Sequence, residues 1–299
     1  MKKIVLLILF LSGIGFAQSA GNTGLAFLKH GFGARNIAMG DLGVAGIDDL
    51  SAFNYNPAQL AKYKRAEIIF NHNEIMTDVR SETFGAGFKL FGLPFALGVN
   101  TTSVSDIEIR NTPGDPASTF NANYFYTGLA TGFFVSEDIS VGLGVKYLYE
   151  GMLTYNANGY ALDFGVNYYN LVEGLELGLA YRNIGSMNEL KSEATKLPGD
   201  LRFGAAYGMD MPELNGELLV VGGYQKYTDT DDNHIHAGTE FVFKKLAALR
   251  LGYQIGYESK GFSGGLGVYY SGFNFDYAFV PFQYDLGSSH IISIKYNFM

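Results

Sequence analysis

His234 and His236 stand two residues apart in an alternating segment, with Asp229, Asp231, Asp232 and Glu240 close by. Two imidazoles on one strand face can hold a metal if further ligands converge. The competing reading is a set of polar side chains lining an interior or a rim. Three arginines, Arg182, Arg202 and Arg250, fall on segment faces otherwise made largely of Gly and Ala. Asp163, Glu176 and Asp276 lie on the matching faces and are the expected partners. Lone charges in a low-dielectric interior are costly, so pairing is the first reading and selection of a ligand the second. Asn56-Pro57-Ala58 has an N-cap residue followed by Pro at the first helical position, which starts a helix. Its second reading is a latch that controls a path, with Phe53 packed beside it or lining an apolar pocket.

Other chemistry is poorly supported. Gly31-x-Gly33 has Asn at position 36 where a nucleotide loop needs glycine. Gly142-x-Gly144 lies inside an alternating run and opens no helix, so neither cradles phosphate. Gly261-Phe262-Ser263-Gly264-Gly265 has the Gly-x-Ser-x-Gly spacing but lies inside a predicted strand and forms no strand-to-helix elbow, His-Glu-x-x-His is missing from the sequence, and no catalytic residue is assigned. The expectation is a non-enzymatic protein with no metal and no cofactor. With no cysteine, disulfides and thiolate metal sites are excluded. A net charge of −8 without basic clusters argues against nucleic acid.

The elements that must position these residues follow a period of two. Ile139, Val141, Leu143, Val145, Tyr147 and Tyr149 share a face opposite Ser140, Gly142, Gly144, Lys146 and Glu150. Phe164, Leu177, Leu251, Phe275 and Ile294 belong to similar apolar faces. The chain's last strand places Ile292, Ile294, Tyr296 and Phe298 on one side and Ser293, Lys295 and Asn297 on the other. Apolar-out and polar-in alternation is the signature of a transmembrane barrel. In a secreted β-sandwich the water-facing sides would be rich in Lys, Glu, Thr and Ser, whereas here they are mostly Gly and Ala. The composition agrees: 39 glycines, 24 Phe, 21 Tyr and only 17% charged residues. With no Trp, Tyr and Phe must form the interfacial girdles.

The pattern predicts strands at roughly 66–76, 82–90, 93–110, 120–134, 138–150, 157–169, 174–184, 200–207, 216–227, 233–243, 246–257, 261–270, 273–280 and 289–298. The fold class is therefore all-β, a fourteen-stranded antiparallel transmembrane β-barrel with a short, partly helical N-terminal plug. The 216–227 run alternates poorly and 66–76 is ambiguous, so twelve strands is the alternative. The longest loops are expected near 108–120 and 185–200.

Ahead of the barrel, Lys2 and Lys3, the apolar stretch 4–14 and Gly15-Phe16-Ala17 read as a signal peptide over 1–17. Ala20 offers a second cleavage point. Residues 18–62 are expected to form the plug and 63–299 the barrel. Asp48, Asp49 and Asn56 are candidate helix N-caps. Gly31, Gly33, Gly40, Gly43 and Gly46 supply turns that let the segment fold inside. Phe27, Leu28, Phe32, Ile37, Met39 and Phe53 would pack against the lumen, block ion flow and leave a ligand to pass beside them.

Both ends carry a resemblance. Phe27-Leu28-Lys29, Gly33-Ala34-Arg35, Ala38-Met39-Gly40, Asp48-Asp49 and Asn56-Pro57-Ala58 resemble the N-terminal region of PorV/PorQ-family proteins, within the larger FadL-like group of outer-membrane barrels. Leu201-Arg202-Phe203-Gly204, Leu249-Arg250-Leu251-Gly252-Tyr253 and Asp276-Tyr277-Ala278-Phe279-Val280-Pro281 look similar to the same family. The resemblance implies an outer-membrane barrel with fourteen strands and a lumenal N-terminal segment. It implies one of two roles. The first is an accessory barrel that binds type IX secretion proteins or exported cargo. The alternative is passage of hydrophobic small molecules across the outer membrane. Outer-membrane lipid is the surrounding partner in both.

Overall fold

A computed structural model describes residues 24–76, 78–230 and 232–298. The expected signal peptide lies outside them. The first half of the wall comprises β1 (Glu67–Ile75), β2 (Val79–Leu90), β3 (Leu93–Ile109), β4 (Ser118–Phe134), β5 (Ile139–Met152), β6 (Tyr155–Tyr169) and β7 (Leu175–Met187). The second half comprises β8 (Asp200–Met211), β9 (Gly216–Tyr227), β10 (Asn233–Phe243), β11 (Ala247–Ile255), β12 (Phe262–Tyr270), β13 (Phe273–Pro281) and β14 (Ser288–Asn297). Each strand pairs antiparallel with its sequence neighbours, and β14 closes on β1 from Glu67 opposite Asn297 to Ile75 opposite Ser289. Closure satisfies every strand edge, which a bilayer core demands because no water is there to do so. Among the described residues the count is fourteen, and the ambiguous runs at 66–76 and 216–227 are both wall strands.

Burial alternates as the sequence pattern requires. In β5 the side chains of Leu143 and Val145 are exposed, while Ser140, Lys146 and Glu150 are buried. Phe164, Leu251, Phe275 and Ile294 likewise face outward. The outer surface is thus an apolar band, and the closed barrel belongs in an outer membrane.

One end carries short turns. Phe91 and Gly92, with φ of 51° and 81°, join β2 to β3, and Ser271 and Gly272, at 49° and 86°, join β12 to β13. Two residues at positive φ match the twist of the flanking strands. The opposite end carries the longer connections, including 110–117, 188–199, 256–261 and 282–287. Bacterial barrels keep short turns on the periplasmic side and longer loops outside, which orients the chain.

The segment before β1 fills the lumen. It contains a 3-10 turn (Ala26–Lys29), helices α1 (Ala34–Ala38) and α2 (Ala52–Tyr55), and a second 3-10 turn (Pro57–Lys62). It runs from the extracellular side, where the Gly24 amide donates to the Lys196 carbonyl at 3.0 Å, to the periplasmic side, where it enters β1. Phe27, Leu28, Phe32, Met39 and Phe53 are all buried, and Ile37 is 9% exposed. Phe27 stacks on Tyr124 and Phe32 meets Tyr126 edge-on, both at 5.5 Å between centroids.

Two expectations for this segment need correction. Asp48 and Asp49 do not cap a helix. Ser51 is the residue before α2, and Asp49 Oδ1 instead accepts from the Ser51 amide at 3.0 Å. Asp48 is drawn away by Arg35, 2.9 Å distant. Of the five glycines, Gly40, Gly43 and Gly46 hold positive φ (81°, 62° and 76°), but Gly33 is extended at −125°.

Candidate functional site: the plug, its polar anchors and two flanking cavities

Asn56 is completely buried at the middle of the plug. Its Oδ1 accepts from the Ala58 amide at 3.1 Å, so it caps the Pro57–Lys62 turn as its sequence suggests. Its Nδ2 donates to the Val44 carbonyl at 2.8 Å and to Asn167 Oδ1 of β6 at 2.5 Å. One side chain therefore starts a helix, ties two plug segments together and fastens both to the wall. Pro57 lies against β4 and β5: a Cβ on Gly142 would overlap the Pro57–Ala58 peptide, so only glycine admits this approach. The Phe53 ring fills the space over Gly98 on β3 in the same manner.

The arginines face inward and are buried, but two of their expected partners are wrong. Arg182 and Arg202 share Asp200. Asp200 Oδ1 accepts from Arg182 Nε at 3.0 Å and from Arg202 Nε at 3.2 Å, and Arg182 also pairs with Oδ2. The cause is register: Arg182 on β7 lies directly across from Asp200 on β8, and Arg202 follows two residues later on the same face. Asp163 pairs with Lys146 at 2.6 Å instead and accepts from the Asn183 amide at 2.8 Å. There the β6–β7 ladder is irregular, with Leu162 opposite Ile184 but Phe164 opposite Tyr181. The extra residue turns both Arg182 and Asn183 into the lumen. Glu176 pairs with Lys62 of the plug.

Both guanidinium groups also serve the plug backbone. Arg202 Nη1 donates to the carbonyls of Asp41 and Leu42 at 2.9 and 2.8 Å, and Arg182 Nη1 donates to the Asn54 carbonyl. The Tyr55 ring lies under both, 5.6–6.0 Å away, and its hydroxyl donates to Asp41 Oδ1 at 2.6 Å. These groups supply donors to irregular backbone that has no ladder partner.

A second polar cluster holds α1. Arg250 bridges Glu240 at 2.5 Å and Asp276 at 2.7 Å, so the expected Asp276 partnership is present. Arg35 of the plug reaches the same Glu240 at 2.7 Å. Lys295 of β14 pairs with plug Asp49 at 3.0 Å. Burial alone would raise the Asp49 carboxyl, but Lys295 and Arg35 outweigh it and hold it below the ordinary range. Arg35, Tyr55 and Asp200 are the site residues that sequence reading missed. Only Arg35 left a signal, as a charge inside an otherwise apolar plug segment.

The two histidines of β10 are lumenal and buried. His234 stacks on Tyr257 at 3.7 Å with rings nearly parallel, and His236 Nδ1 lies 2.6 Å from the Gly40 carbonyl. Among the described residues no group of three or more His, Asp or Glu side chains has the geometry of a metal site.

Cavities lie on either side of the plug. The periplasmic vestibule measures about 1050 Å³ and is bordered by Asp48, Lys62, Glu176, Asp210, Leu219 and Val242, among others. At the extracellular end a narrow cleft opens between the plug and strands β1 and β11–β14, walled by Ile37, Ile75, Val280 and Ile291 together with the polar Asp41, Asn73, Gln254 and Lys260. Helix α1 and the Arg35–Glu240–Arg250 cluster separate the two.

No protein-family profile and no curated protein matches this chain. Solved structures do. The Pseudomonas putida toluene transporter TodX superposes with a TM-score of 0.65 at 12% identity, covering 89% of this chain and 98% of its own. The Ralstonia pickettii toluene transporter TbuX gives 0.63 at 13% identity, covering 90% and 99%. A Pseudomonas aeruginosa FadL homologue gives 0.54 at 12%, covering 90% and 100%. At such identities the likeness is one of fold: this chain has the architecture of FadL-like outer-membrane barrels.

Proposed function

We propose that this protein is a plugged outer-membrane channel for hydrophobic small molecules, without enzymatic activity. The observation that carries the reading is a lumen divided by a seated plug into a narrow extracellular cleft, with Ile37, Ile75, Val280 and Ile291 in its wall, and a periplasmic vestibule. An aqueous porin of this size leaves a continuous wet channel. A barrel that admits apolar solutes gains from a barrier that excludes ions and offers binding surfaces on each side. The fold shared with toluene transporters supports the same reading. The accessory role in type IX secretion rests on the sequence resemblance alone, so it ranks second.

The test is uptake. Cells expressing the protein should accumulate labelled toluene several-fold faster than cells with an empty vector, while glucose entry stays unchanged. Equal toluene entry in the two strains, or faster glucose entry, would overturn the proposal. Secretion components recovered by crosslinking from the native membrane, with no toluene effect, would favour the second reading.

A further inference from the structure

The irregularity between β6 and β7 brings three reactive side chains together. In a regular ladder Arg182 and Asn183 would point to opposite sides of the wall. The extra residue turns Asn183 into the lumen beside Asp163 and Lys146. Bulges of this kind recur next to reactive sites, where they re-aim a side chain. Asn183, Asp163 and Lys146 are 2%, 1% and 5% exposed. Lys146 Nζ donates to Asn183 Oδ1 at 3.0 Å and lies 2.6 Å from Asp163 Oδ2. Asp163 Oδ1 accepts from the Asn183 backbone amide at 2.8 Å, and Oδ2 has no partner besides the amine. One carboxylate therefore touches both of the other residues. Arg182 is already answered by Asp200, so it does not compete for Asp163.

The surroundings are small and closed to water. Ala161 lies directly across from Lys146 on β6 and is 1% exposed. Gly128 of β4 leaves room for the lysine stem, since a Cβ there would come within 3.2 Å of Lys146 Cγ. The buried Tyr126 ring covers the amine at 5.9 Å. An amine, a carboxamide and a carboxylate held out of water are the parts of an amide exchange. An ammonium becomes a nucleophile once it gives up a proton, and Asp163 is placed to receive it. The carbon that bears Asn183 Oδ1 is the electrophile. A plain ion pair needs only Lys146 and Asp163. It does not require the wall to break its ladder so that Asn183 reaches the amine.

We propose that Lys146 and Asn183 become joined by a side-chain amide, with Asp163 as the proton carrier, stapling β5 to β7 across β6. A proton first passes from the Lys146 ammonium to Asp163 Oδ2, which removes two buried charges at once. The Nζ lone pair attacks Asn183 Cγ, and the carbonyl electrons move onto Oδ1. Asp163 gives its proton to Nδ2 and takes a second one from Nζ. The Cγ–Nδ2 bond breaks, its electron pair leaves with ammonia, and the carbonyl re-forms. The products are an Nζ–Cγ amide, ammonia and a neutral Asp163 carboxyl, so atoms and charge balance without another reactant. Nδ2, the leaving group, is held by the Pro198 carbonyl at 3.3 Å. The staple is independent of what the channel carries.

The test is a tryptic digest of the full barrel, purified from outer membranes and then denatured, read by tandem mass spectrometry. The expected product is a branched peptide in which the segment beginning at Asn183 hangs from Lys146. It should show no cleavage after Lys146 and lack one ammonia. The joined peptide decides, because cyclisation of an N-terminal Gln18 would lose the same ammonia. Lys146→Arg keeps a cation for Asp163 but has no nucleophilic amine, so its peptides should be separate. Asp163→Asn cannot take the proton and should give the same result. After boiling in detergent, the wild-type chain should migrate faster than both variants, since its 146–183 loop stays closed. The wild-type digest decides even where a variant fails to fold. Separate wild-type peptides, with Lys146 and Asn183 both unmodified, would overturn the proposal and leave an ion pair. Linkage that persists in Asp163→Asn would overturn the role given to Asp163.

Discussion

Asp200 joins two buried arginines, and through them the backbone of Asp41, Leu42 and Asn54. Removing one member of a buried ionic group strands the others, at a cost of about 3–5 kcal/mol. Asp200→Ala should therefore destabilise the folded barrel in vesicles by about that amount, read as a lower urea midpoint, and loosen the plug. Asp163→Asn should leave the Arg182–Asp200–Arg202 set intact. Equal loss in the two variants would refute this assignment of partners. His30 gives a second residue-level prediction. Burial, and after it the Lys260 charge, push its imidazole down to about 4, with Asp41 opposing and Lys29 adding to the fall. An unseated His30 takes up a proton near pH 6.5, so the seated form is favoured in full above that pH. Seating should weaken as pH falls from 6.5 towards 4. Opening events in planar bilayers should be more frequent at pH 5 than at pH 7.5, and His30→Gln should flatten the change. The arginines were legible as inward residues because the strand period fixes a face. Asp276 was found as the partner of Arg250, but Asp200, the partner of Arg182 and Arg202, was not, because the β7–β8 register is set by how the 188–199 connection returns, and no alternation encodes that.

At the scale of the strand, β5 carries opposite demands on adjacent residues. Leu143 faces lipid at 46% exposure, whereas Gly142 and Gly144 face the lumen. A lysine at the membrane midplane costs about 2–4 kcal/mol. Leu143→Lys should lower folding efficiency into vesicles by that measure. Gly144→Lys should be milder, since a lysine on the lumen face avoids the lipid cost. Equal sensitivity would remove the face assignment. Gly142→Leu is different again: it should leave the wall formed but push out the Pro57–Lys62 turn, seen as new protease cleavage within 24–62. Strand positions were readable because alternation is local and repeats along the chain. The short plug helices were less so. With four or five residues each they show no 3.6-residue period, and α2 begins after Ser51 rather than at the acidic pair upstream.

At the scale of the molecule, wall and plug make one interdependent fold. A closed fourteen-stranded wall leaves a lumen that must be filled or wet. Here polar anchors on β1, β6, β7, β8, β10, β11 and β14 have their partners in the plug, and the wall glycines give its backbone room. That mutual fit explains why an apolar outer band, legible from composition, coexists with an inner face of glycine and isolated charges. The path of the plug through the lumen was not legible, because most anchors join residues separated by more than a hundred positions with no shared pattern. Arg35 with Glu240 and Lys295 with Asp49 are examples. Deleting 24–62 would leave Arg182, Arg202, Glu240 and Lys295 facing water, where hydration replaces the plug's carbonyls and carboxylates. The barrel ladder itself loses no hydrogen bond, so a less stable but closed wall should persist. The intact protein should be nearly silent in planar bilayers, and the deletion variant should show large, steady conductance that falls little with applied voltage. Porin-like conductance from the intact protein would contradict a seated plug. Silence from a correctly folded deletion variant would show that the wall alone closes the pore.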